Sequence, residues 1–250
     1  MLTGFWKLTW VEIKVFVREP MGLIGSLLIP IVLFFLLSGV IDEGSPAMGV
    51  DAFEQGPPFN VAVLAALFMA LGAVLSLVAI ISIYREGGIL KRLRATPLSP
   101  VTILGAHVAV KLLFTLIGLS LFVLAGRQFF PGLLDVNLIS FGAALLFSTL
   151  SILSIGFLIA SLVPTARFAQ PIGSALLYPM LAISGLFFPV EILPGALQVL
   201  ANILPVTHAA ALLDAVWIGQ SWAENWVHVA ALTGLFLVYT AISARVFRWE

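Results

Sequence analysis

Six stretches of this sequence stay apolar for long enough to cross a lipid bilayer as helices: 21–41, 61–83, 102–125, 138–163, 170–189 and 227–244. A helix rising 1.5 Å per residue needs about 20 apolar residues to traverse roughly 30 Å of hydrocarbon. Five of the runs carry no charge at all, and the third carries Lys111 alone. The fifth contains Pro179, which is read as an interruption, and ends at Pro189. Backbone amides in lipid must be satisfied within their own segment, so runs of this length predict helices. The fold class is therefore an all-α membrane protein, with residues 1–250 forming a single transmembrane domain.

Composition agrees, since 61% of the residues are hydrophobic and 10% charged, a balance that in water would leave large apolar patches exposed. Formal net charge is zero, which argues against a nucleic-acid partner because phosphate recognition needs clustered Lys and Arg. Cysteine is absent, which removes disulfides, thiolate metal sites and a Cys nucleophile.

Residues 1–20 have no uninterrupted apolar core and are not read as a signal peptide. At 100° per residue, Leu2, Phe5, Trp6, Trp10, Ile13, Phe16 and Val17 gather on one side, with Thr3, Lys7, Lys14 and Arg18 opposite. That pattern predicts an amphipathic helix lying in the membrane interface.

Basic residues set the orientation, because cytoplasmic loops hold the Lys and Arg. Lys7, Lys14 and Arg18 precede the first span; Arg85, Lys91, Arg92 and Arg94 follow the second; Arg167 follows the fourth; Arg245 and Arg248 follow the sixth. All of these fall on one side if there are six spans with both termini in the cytoplasm. Between the fifth and sixth spans, Pro194 and Pro205 punctuate two short apolar stretches, 194–203 and 206–218. Neither is long enough to span, so both are expected to re-enter the membrane edge, with Trp217, Trp222 and Trp226 in an outer aromatic belt.

Lys111 has two readings: a contact to substrate or to a lipid headgroup at membrane depth, or a side chain snorkelling to the cytoplasmic interface. His107, His208 and His228 are scattered with no second ligand at helical spacing and are read as structural.

Between the second and third spans the chain reads Tyr84-Arg85-Glu86-Gly87-Gly88-Ile89-Leu90-Lys91-Arg92-Leu93-Arg94-Ala95-Thr96-Pro97-Leu98-Ser99-Pro100. This resembles the cytoplasmic loop of ABC-2-type permeases, in which an acidic-basic pair and a glycine lead into a basic, leucine-containing turn ending in Thr-Pro-hydrophobic-Ser. Family members commonly have an acidic residue where Lys91 stands. The interfacial first helix, six spans and broken outer segment occur in the family in the same order.

The resemblance implies that Ile89 to Ala95 is a cytoplasmic coupling helix. Arg85, Glu86, Gly88, Leu90, Lys91, Arg92, Leu93, Arg94 and Pro97 would then form the contact with an ATP-binding subunit. The chain has no Gly-x-x-x-x-Gly-Lys-Ser/Thr loop, so no cofactor of its own is expected, and ATP and magnesium would be held by that separate subunit. The implied assembly is two permeases, as a homodimer or with a paralogue, and two ATPases in the bacterial inner membrane. The implied function is efflux of hydrophobic or amphipathic compounds, with lipid or polysaccharide export as the alternative. No metal site, paired intramembrane carboxylate or nucleophile-base set supports an enzyme, and an ion-coupled secondary transporter would want intramembrane acids and an inverted repeat.

Overall fold

A computed structural model describes residues 2–18, 32, 61–88, 100–129, 137–163, 165–185 and 190–246. Among these there are eight α-helices and no strand: α1 (Leu2–Arg18), α2 (Val61–Glu86), α3 (Pro100–Phe129), α4 (Leu138–Leu162), α5 (Ala166–Ala182), α6 (Gly195–Ile203), α7 (Pro205–Trp217) and α8 (Trp226–Val246). A single 3-10 turn, Val190–Ile192, precedes α6. The expected span 21–41 lies outside the described residues.

By length and composition, α4 and α8 are apolar enough to cross a membrane, and the bent pair α6–α7, counted as one broken span, would make three. Helices α2 and α3 are 26 and 30 residues long and cover the expected runs 61–83 and 102–125. Many outward side chains are large and apolar, among them Leu124, Leu162, Leu237 and Val238. Such a surface suits lipid.

Helix α4 is the centre of the bundle, with α2, α3, α7 and α8 packed around it. Leu145, Ile152, Leu153 and Ala160 are fully buried on it. So are several small polar residues, which let neighbouring backbones approach closely. Ser151 Oγ donates to the Leu232 carbonyl at 3.0 Å, and the Ser161 and Ser243 hydroxyls lie 3.2 Å apart. At Gly156 an added Cβ would meet Val74 Cγ1 at 3.0 Å, so this glycine sets the α2–α4 distance.

The helix ends sort into two groups. Arg85 at the end of α2 reaches the end of α4, Ser243 near the end of α8 meets Ser161, and Tyr84 reaches α1. Arg85, Arg167 and Arg245 therefore share one end of the bundle, and the N-terminal half of α1 lies toward it, with Phe5 against Gly105. At the other, Trp222 Nε1 donates to Ser140 Oγ at 3.0 Å and the Trp217 ring sits edge-on to Phe141.

Two expectations are revised. Pro179 does not interrupt the fifth apolar run: it lies inside α5 together with Pro171, since neighbouring helices tolerate the freed carbonyls. The helix starts earlier than expected and ends at Ala182, followed by a turn in which Gly185 takes φ +86°. In α1, the aromatic side predicted to face the membrane divides. Phe16 is buried against Phe114, with ring centroids 4.2 Å apart, whereas Trp6 and Trp10 are 64% and 58% exposed. Helix α1 thus has a protein-facing stripe of Thr9, Glu12 and Phe16 beside an outward tryptophan stripe.

The short helices of the outer segment appear where the prolines placed them. Pro205 starts α7 at a position where its missing N–H costs nothing, and α6 and α7 meet at 79°. Tyr239 Oη on α8 donates to the Ile203 carbonyl at 3.0 Å, bracing the bend.

Candidate functional site

The end of α2 from which residues 87–99 depart is tied down on two sides. The Arg85 guanidinium donates to the carbonyl oxygens of Val163 (2.8 Å) and Ala160 (3.0 Å). Carbonyls in the last turn of a helix have no intrahelical partner and carry the negative end of its dipole. A planar fork that meets two of them fixes both position and angle. The chain then turns. Gly87 N–H donates to the Ile83 carbonyl at 2.8 Å and Gly88 N–H to the Arg85 carbonyl at 3.1 Å. Gly88 takes φ +65°, with open space where a Cβ would stand. The need for glycine is therefore conformational rather than steric. Glu86 is exposed. Of the other residues implied in coupling, Leu90, Lys91, Arg92, Leu93, Arg94 and Pro97 lie outside the described residues.

The second tie is a buried polar cluster where α1, α2 and α3 meet. Tyr84 Oη donates to Glu12 Oε1 at 2.8 Å, and His107 Nδ1 lies 3.2 Å from Glu12 Oε2. Lys111, one helical turn beyond His107 on α3, places Nζ 4.2 Å from the centroid of the Phe16 ring. Glu12 is 5% exposed. Its burial would raise the carboxyl, but the hydrogen bonds from His107 and Tyr84 and the nearby charges of His107 and Lys111 outweigh that and hold it below its ordinary 4.5. An ionised carboxylate only accepts, so His107 carries its proton on Nδ1. His107 Nε2 is buried and has no hydrogen-bond partner among the described residues.

Beside this cluster is a cavity of about 80 Å³, with Glu12, Phe16, Ser76, Ile83, His107 and Lys111 in its wall and Val15 at its edge. That is room for several water molecules or one phosphate-sized group.

Glu12, Tyr84 and His107 are functional candidates that the sequence reading passed over. The legible signal was the i, i+4 pair His107 and Lys111 inside an apolar run, together with an acid at the edge of the apolar sector of α1. Two of the histidines, far apart in the sequence, meet in the fold. The turn between α7 and α8 brings His208 and His228 together, with Nδ1 atoms 3.2 Å apart and His208 Nε2 3.0 Å from the Asn202 carbonyl. Among the described residues no group of three or more His, Cys, Asp and Glu side chains is placed to hold a metal ion.

The profile of the ABC-2 type transporter family matches residues 3–217. Nodulation protein J of Rhizobium leguminosarum bv. viciae is 30% identical over 99 residues, 40% of this chain and 38% of that protein. Nodulation protein J of Rhizobium meliloti (strain 1021) is 28% identical over 99 residues, with the same shares of each chain. Nodulation protein J of Neorhizobium galegae is 31% identical over 83 residues, 33% of this chain and 32% of that protein. The matched segment thus spans well under half the length of each of these relatives.

Proposed function

The chain belongs to the ABC-2 type transporter family, and on that premise we propose that it is the membrane-spanning permease of an ATP-driven exporter. It crosses the bacterial inner membrane six times as one domain, with both termini cytoplasmic. Two permeases, identical or paralogous, form the path, and two separate ATP-binding subunits supply the energy.

The observation that carries this reading is the double anchorage of the α2 terminus. A segment that passes force from a moving partner must enter the membrane through a fixed point, otherwise the displacement is lost in the hinge. Arg85 fixes that point to α4, and Tyr84 fixes it to α1 and through Glu12 to α3. In the proposal, residues 89–95 form the coupling helix: Leu90 and Leu93 fill a groove on the ATPase while Lys91, Arg92 and Arg94 meet its acids. The shared end that carries Arg85, Arg167 and Arg245 is then the cytoplasmic one.

For the substrate, the apolar exterior and the scarcity of buried charge among the described residues support a hydrophobic or amphipathic compound. A lipid or glycolipid is the second reading, favoured by the small charged cavity beside α1.

The test is gentle detergent purification of the tagged chain from its native host, followed by reconstitution in proteoliposomes. Co-purification of a Walker A-bearing ATPase whose hydrolysis rises with amphipathic compounds is the expected result. Recovery of the chain without any such ATPase would return a gradient-driven transporter to the front, whereas stimulation by a glycolipid alone would select the second substrate reading.

A further inference from the structure

We propose that the cavity between α1, α2 and α3 binds a singly charged phosphate, supplied by the headgroup of a membrane lipid and held by Lys111 and His107. The inference goes beyond the exporter reading and stands whatever the cargo. It starts from a buried polar atom without a partner. His107 is 3% exposed and lines the cavity, its Nδ1 is committed to Glu12, and its Nε2 has no partner among the described residues. Buried polar atoms in native structures are almost always satisfied, so an orphan against a cavity marks a ligand's place.

Charge selects the ligand. Glu12 brings one negative charge and Lys111 one positive. A phosphate diester adds a negative charge, and a proton on His107 Nε2 both balances it and supplies the hydrogen bond. The resulting alternation of Glu12, imidazolium, phosphate and ammonium is neutral overall, as a buried set must be. Among the described residues, the charged and titratable groups facing His107 are Glu12 from α1, Tyr84 from α2 and Lys111 on its own helix. Helix α4, which also packs on α3, contributes none between Leu138 and Leu162.

The source follows from the mouth. Val15 and Ile83 line the cavity and are 40% and 50% exposed, so its rim is apolar, which suits lipid better than water. Ile83 lies within a turn of the end of α2, and Trp6 and Trp10 are exposed on α1. From there the cavity reaches inward to Ser76 and Lys111, about 15 Å from the helix ends, so a headgroup phosphate held here sits below the interface and needs the charges of Lys111 and His107 in place of water.

The experiment uses the full chain, delipidated in detergent, and measures retained lipid by native mass spectrometry. The probes are phosphatidylglycerol, which has the phosphate, and diacylglycerol, which has only a hydroxyl. His107→Asn keeps a donor at the Nδ1 position for Glu12 but removes Nε2. Lys111→Met keeps the stem against Phe16 and removes the charge, and Lys14→Met, an exposed cation on Trp10, serves as control. The wild type is expected to prefer phosphatidylglycerol, and each cavity variant should weaken that retention about tenfold, the loss of one charge-assisted hydrogen bond. The control should not change it. Displacement by millimolar inorganic phosphate would show that the phosphate alone suffices, and its failure that the lipid body is required. Equal retention of diacylglycerol, or cavity variants that hold phosphatidylglycerol like the wild type, would overturn the proposal.

Discussion

His107 Nδ1 and Glu12 Oε2 stand 3.2 Å apart, on side chains only 4% and 5% exposed. The amphipathic helix that the sequence sends to the membrane interface is thereby fastened to α3 by a buried polar contact. Apolar packing of Phe16 on Phe114 would hold the helix at many rotations about its axis; a carboxylate that must meet both Tyr84 and His107 selects one.

Replacing Glu12 with Gln tests that fastening through its pH dependence. Because the folded carboxyl lies below its ordinary 4.5, it stabilises the docked state above that value, and the contribution disappears as pH falls through the lower folded value. At neutral pH the variant should lose about 1–3 kcal/mol, the cost of a buried group left short of a partner. The gap in melting temperature between wild type and Glu12→Gln should close as the carboxylate is protonated on acidification below its ordinary 4.5. A gap that stays constant with pH would mean the carboxylate is not what holds the helix.

Arg85→Lys separates charge from geometry. Lysine keeps the positive charge at the end of α4 but cannot offer two parallel donors to Ala160 and Val163. With the ATPase partner bound, transport per ATP hydrolysed should fall severalfold in this variant while assembly of the complex persists. Hydrogen exchange at the amides of residues 161–166 should rise. Faster exchange with unchanged coupling would confine Arg85 to a structural role.

Most of the helix boundaries were legible because hydropathy over 20 or more residues admits few alternatives: the expected runs at 138–163 and 227–244 became α4 and α8 almost residue for residue. The broken outer segment was legible from Pro194 and Pro205 alone. The polar site was not. Glu12, Tyr84 and His107 lie on three helices whose neighbour relations no local pattern encodes, and each has an ordinary reading in isolation: a charge on an interfacial helix, an aromatic at a span end, a lone histidine. The His208–His228 contact was hidden for the same reason, since it depends on the turn that folds α7 against α8. Pro179 misled in the opposite direction, because packing in the bundle overrides its local tendency to end a helix.

Gly156 predicts the tolerance of the α2–α4 contact. With Val74 Cγ1 already 3.0 Å from the place where a Cβ would stand, Gly156→Leu must push α2 outward, at a cost of about 1–3 kcal/mol for overpacking. The melting temperature in detergent should drop accordingly, and a compensating Val74→Ala should recover part of it. Independent, additive effects of the two changes would show that the helices do not meet there.

The last prediction concerns the segment that Arg85 and Tyr84 anchor. If residues 89–95 dock on an acidic groove of an ATPase, the basic pair contributes in two separable ways, by holding loops to the cytoplasmic side during insertion and by meeting the partner. Reversing Arg92 and Arg94 to Glu tests the second without removing the first, since Lys7, Lys14, Arg18, Arg85, Lys91, Arg167, Arg245 and Arg248 still bias the orientation. The double variant should insert with unchanged topology, read by cysteine accessibility at introduced sites, and should lose co-purification with the ATPase about tenfold or more at low salt. Charge reversal on the partner's facing acids should restore it. Normal topology with undiminished binding and transport would remove these arginines from the contact and leave the leucines Leu90 and Leu93 to carry it.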